Sequence, residues 1–168
     1  MELSLTREIA VPEGWLRARV EGIDAHLPAA AARGWEIARV AGTSVAPGSS
    51  WTASGRIRGR RVRGRVEITG ADAEGWRFRG GGEGFALTGR IGTEALGPRK
   101  TRLTLEVALR PETLTARMMM PSLRLFRPRI ARRIEAALRR LARRLRRDWR
   151  AEAEPQAQGR SRRNSAAG

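Results

Sequence analysis

This sequence predicts an α+β domain in which a curved antiparallel sheet wraps around a long C-terminal helix. Three observations lead there. Apolar and polar residues alternate through six successive stretches between Trp35 and Leu109, with turn residues between them. An apolar stripe at helical spacing runs from Leu123 to Trp149. Glycine recurs among the large residues on one face of the expected strands, where a sheet must bend or leave room. The chain has 168 residues, 40% of them hydrophobic, which suits one domain with a real core over residues 1–150.

The elements follow in order. Leu3, Leu5, Ile9 and Val11 share one parity and make a first strand, with Arg7 the exception on its apolar side. Pro12 stops that strand and suits a first helical turn. Residues 12–20 and 23–33 read as two short helices, the second stopped by Gly34. Trp35 and Ile37 open a second strand, and Gly42 to Ser50 is loop. Trp51, Ala53, Gly55 and Ile57 are odd, whereas Val62, Gly64, Val66 and Ile68 are even. That parity switch requires a tight turn at 58–61. Trp76, Phe78 and Gly80, then Phe85, Leu87, Gly89 and Ile91, then Leu103, Leu105, Val107 and Leu109 complete a meander with one wet face. Beyond it, apolar residues at 123, 126, 130, 134, 138, 141, 145 and 149 step by threes and fours, the stripe of an amphipathic helix. Pro121 and Pro128 predict a kink there, or a break before Pro121. Residues 151–168 are polar and small and predict a disordered tail.

Charge is the loudest feature of the composition. The formal net charge is +17, and Lys100 is the only lysine, so the basic residues are almost all arginine. Arginines 56, 58, 63, 65, 77, 79, 90 and 102 fall on the outward face of the sheet, and residues 121–150 carry twelve more against Glu135 and Asp148. One reading is an anionic partner, nucleic acid or an acidic membrane surface. The other is composition: alanine and glycine are abundant too, the pattern of a genome rich in G and C. The second accounts for most of the excess, so the anionic partner stands as the alternative.

Chemistry is scarce. There is no cysteine, which removes disulfides, thiolate nucleophiles and cysteine metal sites together. The single histidine, His26, reads as a surface residue, there is no tyrosine, and no clustering of histidine and carboxylates suits a metal. No cofactor is expected. Arg7, on the inward parity, and Glu83, in a glycine-rich turn, are the two weak catalytic candidates. No apolar run approaches the ~20 residues of a membrane span, and the first residues lack the pattern of a signal peptide, so the expected location is the cytoplasm.

The order of elements, with Trp51 to Ile68, the segment KTRLTLEVALRPETLTARMMMPSLRL at 100–125 and the helix to Trp149, resembles the helix-grip fold of the START-like, or SRPBCC, superfamily. The second half is most similar to bacterial members of the polyketide cyclase/dehydrase-like kind. The resemblance spans about residues 1–150 and contains no diagnostic catalytic motif. It implies a β-α-α-β6-α order and a cavity between helix and sheet that holds a hydrophobic or amphipathic small molecule. Carried onto this chain, the lining is Trp51, Trp76, Phe78, Phe85, Leu87, Met118, Met119 and Leu123. Methionines suit such a wall because they adapt to irregular shapes, although three in succession on a helix cannot all face inward. The implied function is binding or transport of that molecule, as monomer or homodimer, with a cyclase or aromatase using the same pocket as the alternative.

Overall fold

A computed structural model describes residues 1–22, 36–57 and 59–165. The expected helix at 23–33, His26, Trp35 and Arg58 lie outside the described residues. Seven strands form one antiparallel sheet: β1 (Glu2–Ile9), β2 (Glu36–Ala41), β3 (Ser50–Ile57), β4 (Arg60–Asp72), β5 (Gly75–Gly82), β6 (Phe85–Gly97) and β7 (Lys100–Pro111). Their spatial order is β1-β7-β6-β5-β4-β3-β2, so β2 to β7 are an uninterrupted meander and β1 returns to pair with β7. Two helices are described, α1 (Glu13–Glu21) and α2 (Leu114–Ser165).

The registers bear out the parity reading. Leu3 lies opposite Val107, Leu5 opposite Leu105, Leu87 opposite Leu109, Ile91 opposite Leu105, Phe78 opposite Ile68, and Trp51 opposite Val66. One face therefore carries these large apolar side chains expected to point inward. The strands are longer than the apolar runs suggested. β4 reaches Asp72 because a register shift between Ile68 and Gly70 inserts an extra residue, so that Ala71 faces Trp76. Such a bulge bends the strand and sharpens the twist.

Two differences concern α2. It begins at Leu114, directly after the Pro111-Glu112-Thr113 segment that ends the last strand and can open a helix, and its helical assignment is unbroken through both prolines, with no break before Pro121. Thr113 explains the start: its hydroxyl accepts a hydrogen bond from the Ala116 amide at 3.2 Å, satisfying one of the orphan donors of the first turn. With that turn in place each proline costs one backbone bond, and the packing of the apolar stripe outweighs it. Nor does the helix end at Arg150: its backbone continues to Ser165, through most of the stretch read as a tail. Glu152 gives the first turn of that extension a local reason, since it accepts from Trp15 Nε1 at 2.8 Å and pairs with Arg19.

The core has two parts. Ile9, Val11, Leu16, Leu103 and Leu145 form one cluster, with Trp15, Leu138, Ala142 and Trp149 packed around it. Here α1, α2 and the β1–β7 side of the sheet meet, and the rings of Trp15 and Trp149 stand edge to face at 5.6 Å. Val45, Ile68, Trp76 and Phe78 form the second, with Trp51, Val66, Leu87, Leu105 and Val107 around it.

Candidate functional site

The inward face of the sheet builds the candidate site, and its curvature has a visible cause. Phe78 lies directly across from Gly89, and a Cβ on Gly89 would strike the Phe78 ring and the Glu106 carbonyl. At Gly80 a Cβ would run into the Arg65 carbonyl and Val66. These glycines are therefore places where the neighbouring strand or an aromatic ring occupies the space a side chain would need.

Only part of this curved face is covered by α2. The helix makes its main close approaches to β1 and β7. Its residues Leu138, Ala142, Leu145 and Trp149 belong to the first cluster. The second cluster contains no residue of α2 among the described residues. Trp51, Val66 and Leu87 remain only half-buried there, as does Phe85 farther along β6. Arg39 closes one end of the patch, its guanidinium 4.4 Å from the centre of the Trp51 ring.

α1 is fixed over the other end by Arg17. Its guanidinium donates to the Asp72 carbonyl at 2.8 Å, the Ala73 carbonyl at 3.0 Å and the Thr93 hydroxyl at 3.2 Å, and lies 4.6 Å from the Trp76 ring centre. Thr93 in turn donates to Glu13 at 2.9 Å. Sequence reading passed over Arg17 among so many arginines; its four-residue spacing from Glu13 on α1 was the available signal. A cleft of about 420 Å³ opens beside it, lined by Arg17, Glu21, Val45, Asp72 and Trp76. A second, of about 560 Å³, opens where β7 ends and α2 begins, lined by Leu109, Arg110, Arg117, Met120, Pro121 and Arg124.

The expected lining residues separate into three groups. Trp51, Phe78, Phe85 and Leu87 come together on the inward face. Trp76 is 1% exposed, sealed beneath Arg17, and is core. Met118 and Met119 are misplaced by the expectation, being 76% and 43% exposed. The methionine that turns inward is Met120, buried with Ala116, while Leu123 is half-buried. The reason is the 3.6-residue repeat: the stripe through Leu123 extends back to 120 and 116, and places 118 on the opposite side.

The two catalytic candidates do not converge. Arg7 does take the inward side of β1, half-buried opposite Leu103. Glu83 sits in the β5–β6 turn with φ of 53°, and accepts a long 3.4 Å bond from the Arg63 amide. That turn lies near Pro111, roughly 25 Å along β7 from Leu103 at the usual rise per residue. Among the described residues, no buried side-chain nitrogen or oxygen lacks a hydrogen-bond partner, and no group of histidines and carboxylates is placed to hold a metal.

The outward face is less bare than its sequence implied. Arg77 pairs with Asp72, Arg79 with Glu67, Arg90 with Glu74, and Arg102 with Glu94 and Glu8. Glu8 is held below the usual carboxylate range by its hydrogen bond from Lys100 and the charge beside it, and Glu36 is lowered by the Ser54 hydroxyl and Arg61. Both lie at the surface, so these pairs tune the surface and are no part of a site.

No family model matches the sequence, and no curated protein matches it. Solved structures do. The protein TTHA0849 of Thermus thermophilus superposes with a TM-score of 0.59 at 20% identity, over 86% of this chain and 97% of that one. The Zhui aromatase/cyclase of a Streptomyces species gives 0.58 at 16%, over 86% and 94%. A START superfamily protein of Mycobacterium smegmatis gives 0.50 at 14%, over 81% and 98%. At these identities the likeness establishes the fold: the chain has the helix-grip architecture. No helix among the described residues is long and apolar enough to cross a membrane.

Proposed function

We propose that this protein binds a hydrophobic or amphipathic small molecule against the inward face of its sheet, between the strands and α2. One observation carries the reading: Trp51 and Leu87, packed against a cluster that contains no residue of α2 among the described residues, are only half-buried, as is Phe85 two residues before Leu87 on the same face of β6. A ligand there would gain from burying aromatic surface without having to satisfy a polar wall. Phe78, packed over Gly89, forms the floor of the patch, and Met120 rather than Met118 or Met119 is the methionine that α2 turns inward. Binding or transport is favoured over a cyclase reaction because the two ionisable candidates stand far apart.

Native mass spectrometry of freshly purified protein, with Nile red titration of the delipidated form, tests this. A bound small molecule, and dye binding that weakens by roughly tenfold in Trp51→Ala or Phe85→Ala, is the expected result. Protein that carries nothing and leaves the neutral dye unbound would remove the proposal.

A further inference from the structure

A second surface lies where β7 passes into α2, on the exposed side of the helix. Leu114, Met118 and Leu125 are 74%, 76% and 77% exposed. With Pro121 they step by four, three and four residues, so the four fall within roughly 60° of arc and make one stripe along about three turns. Exposed large apolar residues are ordinary when scattered, whereas an aligned stripe of them marks a contact surface. On one flank stand Arg117 and Arg124, two turns apart, and with Arg110 they border the 560 Å³ cleft floored by Leu109, Met120 and Pro121. On the other flank stands Arg129. From Leu114 to Ile134 there are six arginines and no acidic residue. None of Arg110, Arg117 and Arg124 has an ion-pair partner among the described residues, in contrast to Arg77, Arg79 and Arg90 on the sheet's outward face.

We propose that this face docks on an anionic lipid bilayer, with the Leu114–Met118–Leu125 stripe entering the headgroup–acyl boundary and Arg110, Arg117 and Arg124 holding lipid phosphates. The charge settles the occupant. A second copy would set arginines against arginines, and a nucleic acid would match the guanidinium groups but leave the apolar stripe in water. An anionic bilayer answers both features in one plane, as it does for basic amphipathic helices that lie on membranes.

The chain has no cysteine, so a Met118→Cys variant can carry a single environment-sensitive fluorophore, with Thr88→Cys on the outward face as its control. Vesicles of phosphatidylcholine with about 30% phosphatidylglycerol should shift the Met118 label to the blue and leave the Thr88 label unchanged, while pure phosphatidylcholine should shift neither. Leu114→Ser with Met118→Ser and Leu125→Ser, and separately Arg117→Gln with Arg124→Gln, should each weaken sedimentation with the anionic vesicles by at least roughly tenfold. These side chains are exposed, and unchanged thermal unfolding verifies that the variants fold. Arg140→Gln with Arg143→Gln removes equal charge elsewhere on α2 and should retain most of the binding. The proposal is overturned by any of four results: no binding to anionic vesicles, equal loss from both arginine pairs, an apolar triple variant that binds normally, or duplex DNA that binds more tightly than the vesicles and loses affinity with Arg117→Gln and Arg124→Gln.

Discussion

Gly89 shows how one position shapes the sheet. An added methyl there lowers backbone entropy loss by about 0.5–1 kcal/mol, the usual advantage of alanine over glycine. It also drives into the Phe78 ring and the Glu106 carbonyl, and overpacking of that kind costs about 1–3 kcal/mol. The collision is the larger effect, because one of its partners is backbone that cannot move without disturbing the β6–β7 ladder. Gly89→Ala is therefore expected to destabilise by about 1–2 kcal/mol in urea unfolding. An alanine variant as stable as the parent would mean that Phe78 is free to swing away. Met118, Met119 and Met120 give the complementary lesson. Three identical side chains in succession have different environments because each is turned about 100° from the last, and only Met120 meets the interior.

Among elements, β1 shows how an edge strand is held to its neighbour. It is an edge strand, joined only to β7 in the sheet, and Glu8 near its end pairs with Lys100 and Arg102. These cations favour the ionised carboxylate and lower its pKa in the folded protein. A group whose folded pKa is depressed stabilises the fold above its unfolded pKa, and that contribution is lost as pH falls through the folded value. Glu8→Gln should therefore lower the melting temperature slightly at neutral pH and leave it unchanged at a pH below both values. A melting-temperature difference between variant and parent that grows on acidification would reverse the assigned sign. The long helix α2 illustrates a different balance. Pro121 and Pro128 each argue for interruption locally, yet the element persists because the Thr113 cap fixes its first turn and the stripe from Ala116 to Trp149 runs along its length.

For the whole molecule the decisive quantity is the net charge of +17. Many ion pairs dress the outward face, but exposed pairs are worth about 0–1 kcal/mol each and salt weakens them. Repulsion among the excess arginines is spread over the entire surface and is also screened, as the Debye length falls below about 10 Å. The surplus of like charge outnumbers the pairs, so screening should help the fold. Thermal unfolding is expected to rise in temperature between about 0.05 and 0.5 M NaCl. A fall over that range would show that the ion-pair network outweighs the repulsion. The same salt would weaken docking on anionic vesicles, which separates charge as a burden on folding from charge as a means of binding.

The strands, their faces and the long amphipathic helix were legible in the residue pattern. Leu3, Leu5 and Ile9, or Phe85, Leu87 and Ile91, can satisfy one buried side only by alternating. The helix-grip order follows from the same arrangement of elements. Local periodicity carries this information because it reports which side of an element meets the core, whatever that core is made of. Other features depended on groups distant in sequence. Arg17 gained its meaning from Asp72, Ala73, Thr93 and Trp76, and the glycines from the Phe78 ring and neighbouring carbonyls. Only the tertiary structure decided that α2 lies over β1 and β7 rather than over the whole sheet, leaving Trp51, Phe85 and Leu87 partly open. Periodicity tells an element which way to face, but the part of the opposing surface it covers is set by three-dimensional packing, here by α1, Trp15 and Trp149 holding α2 to one side.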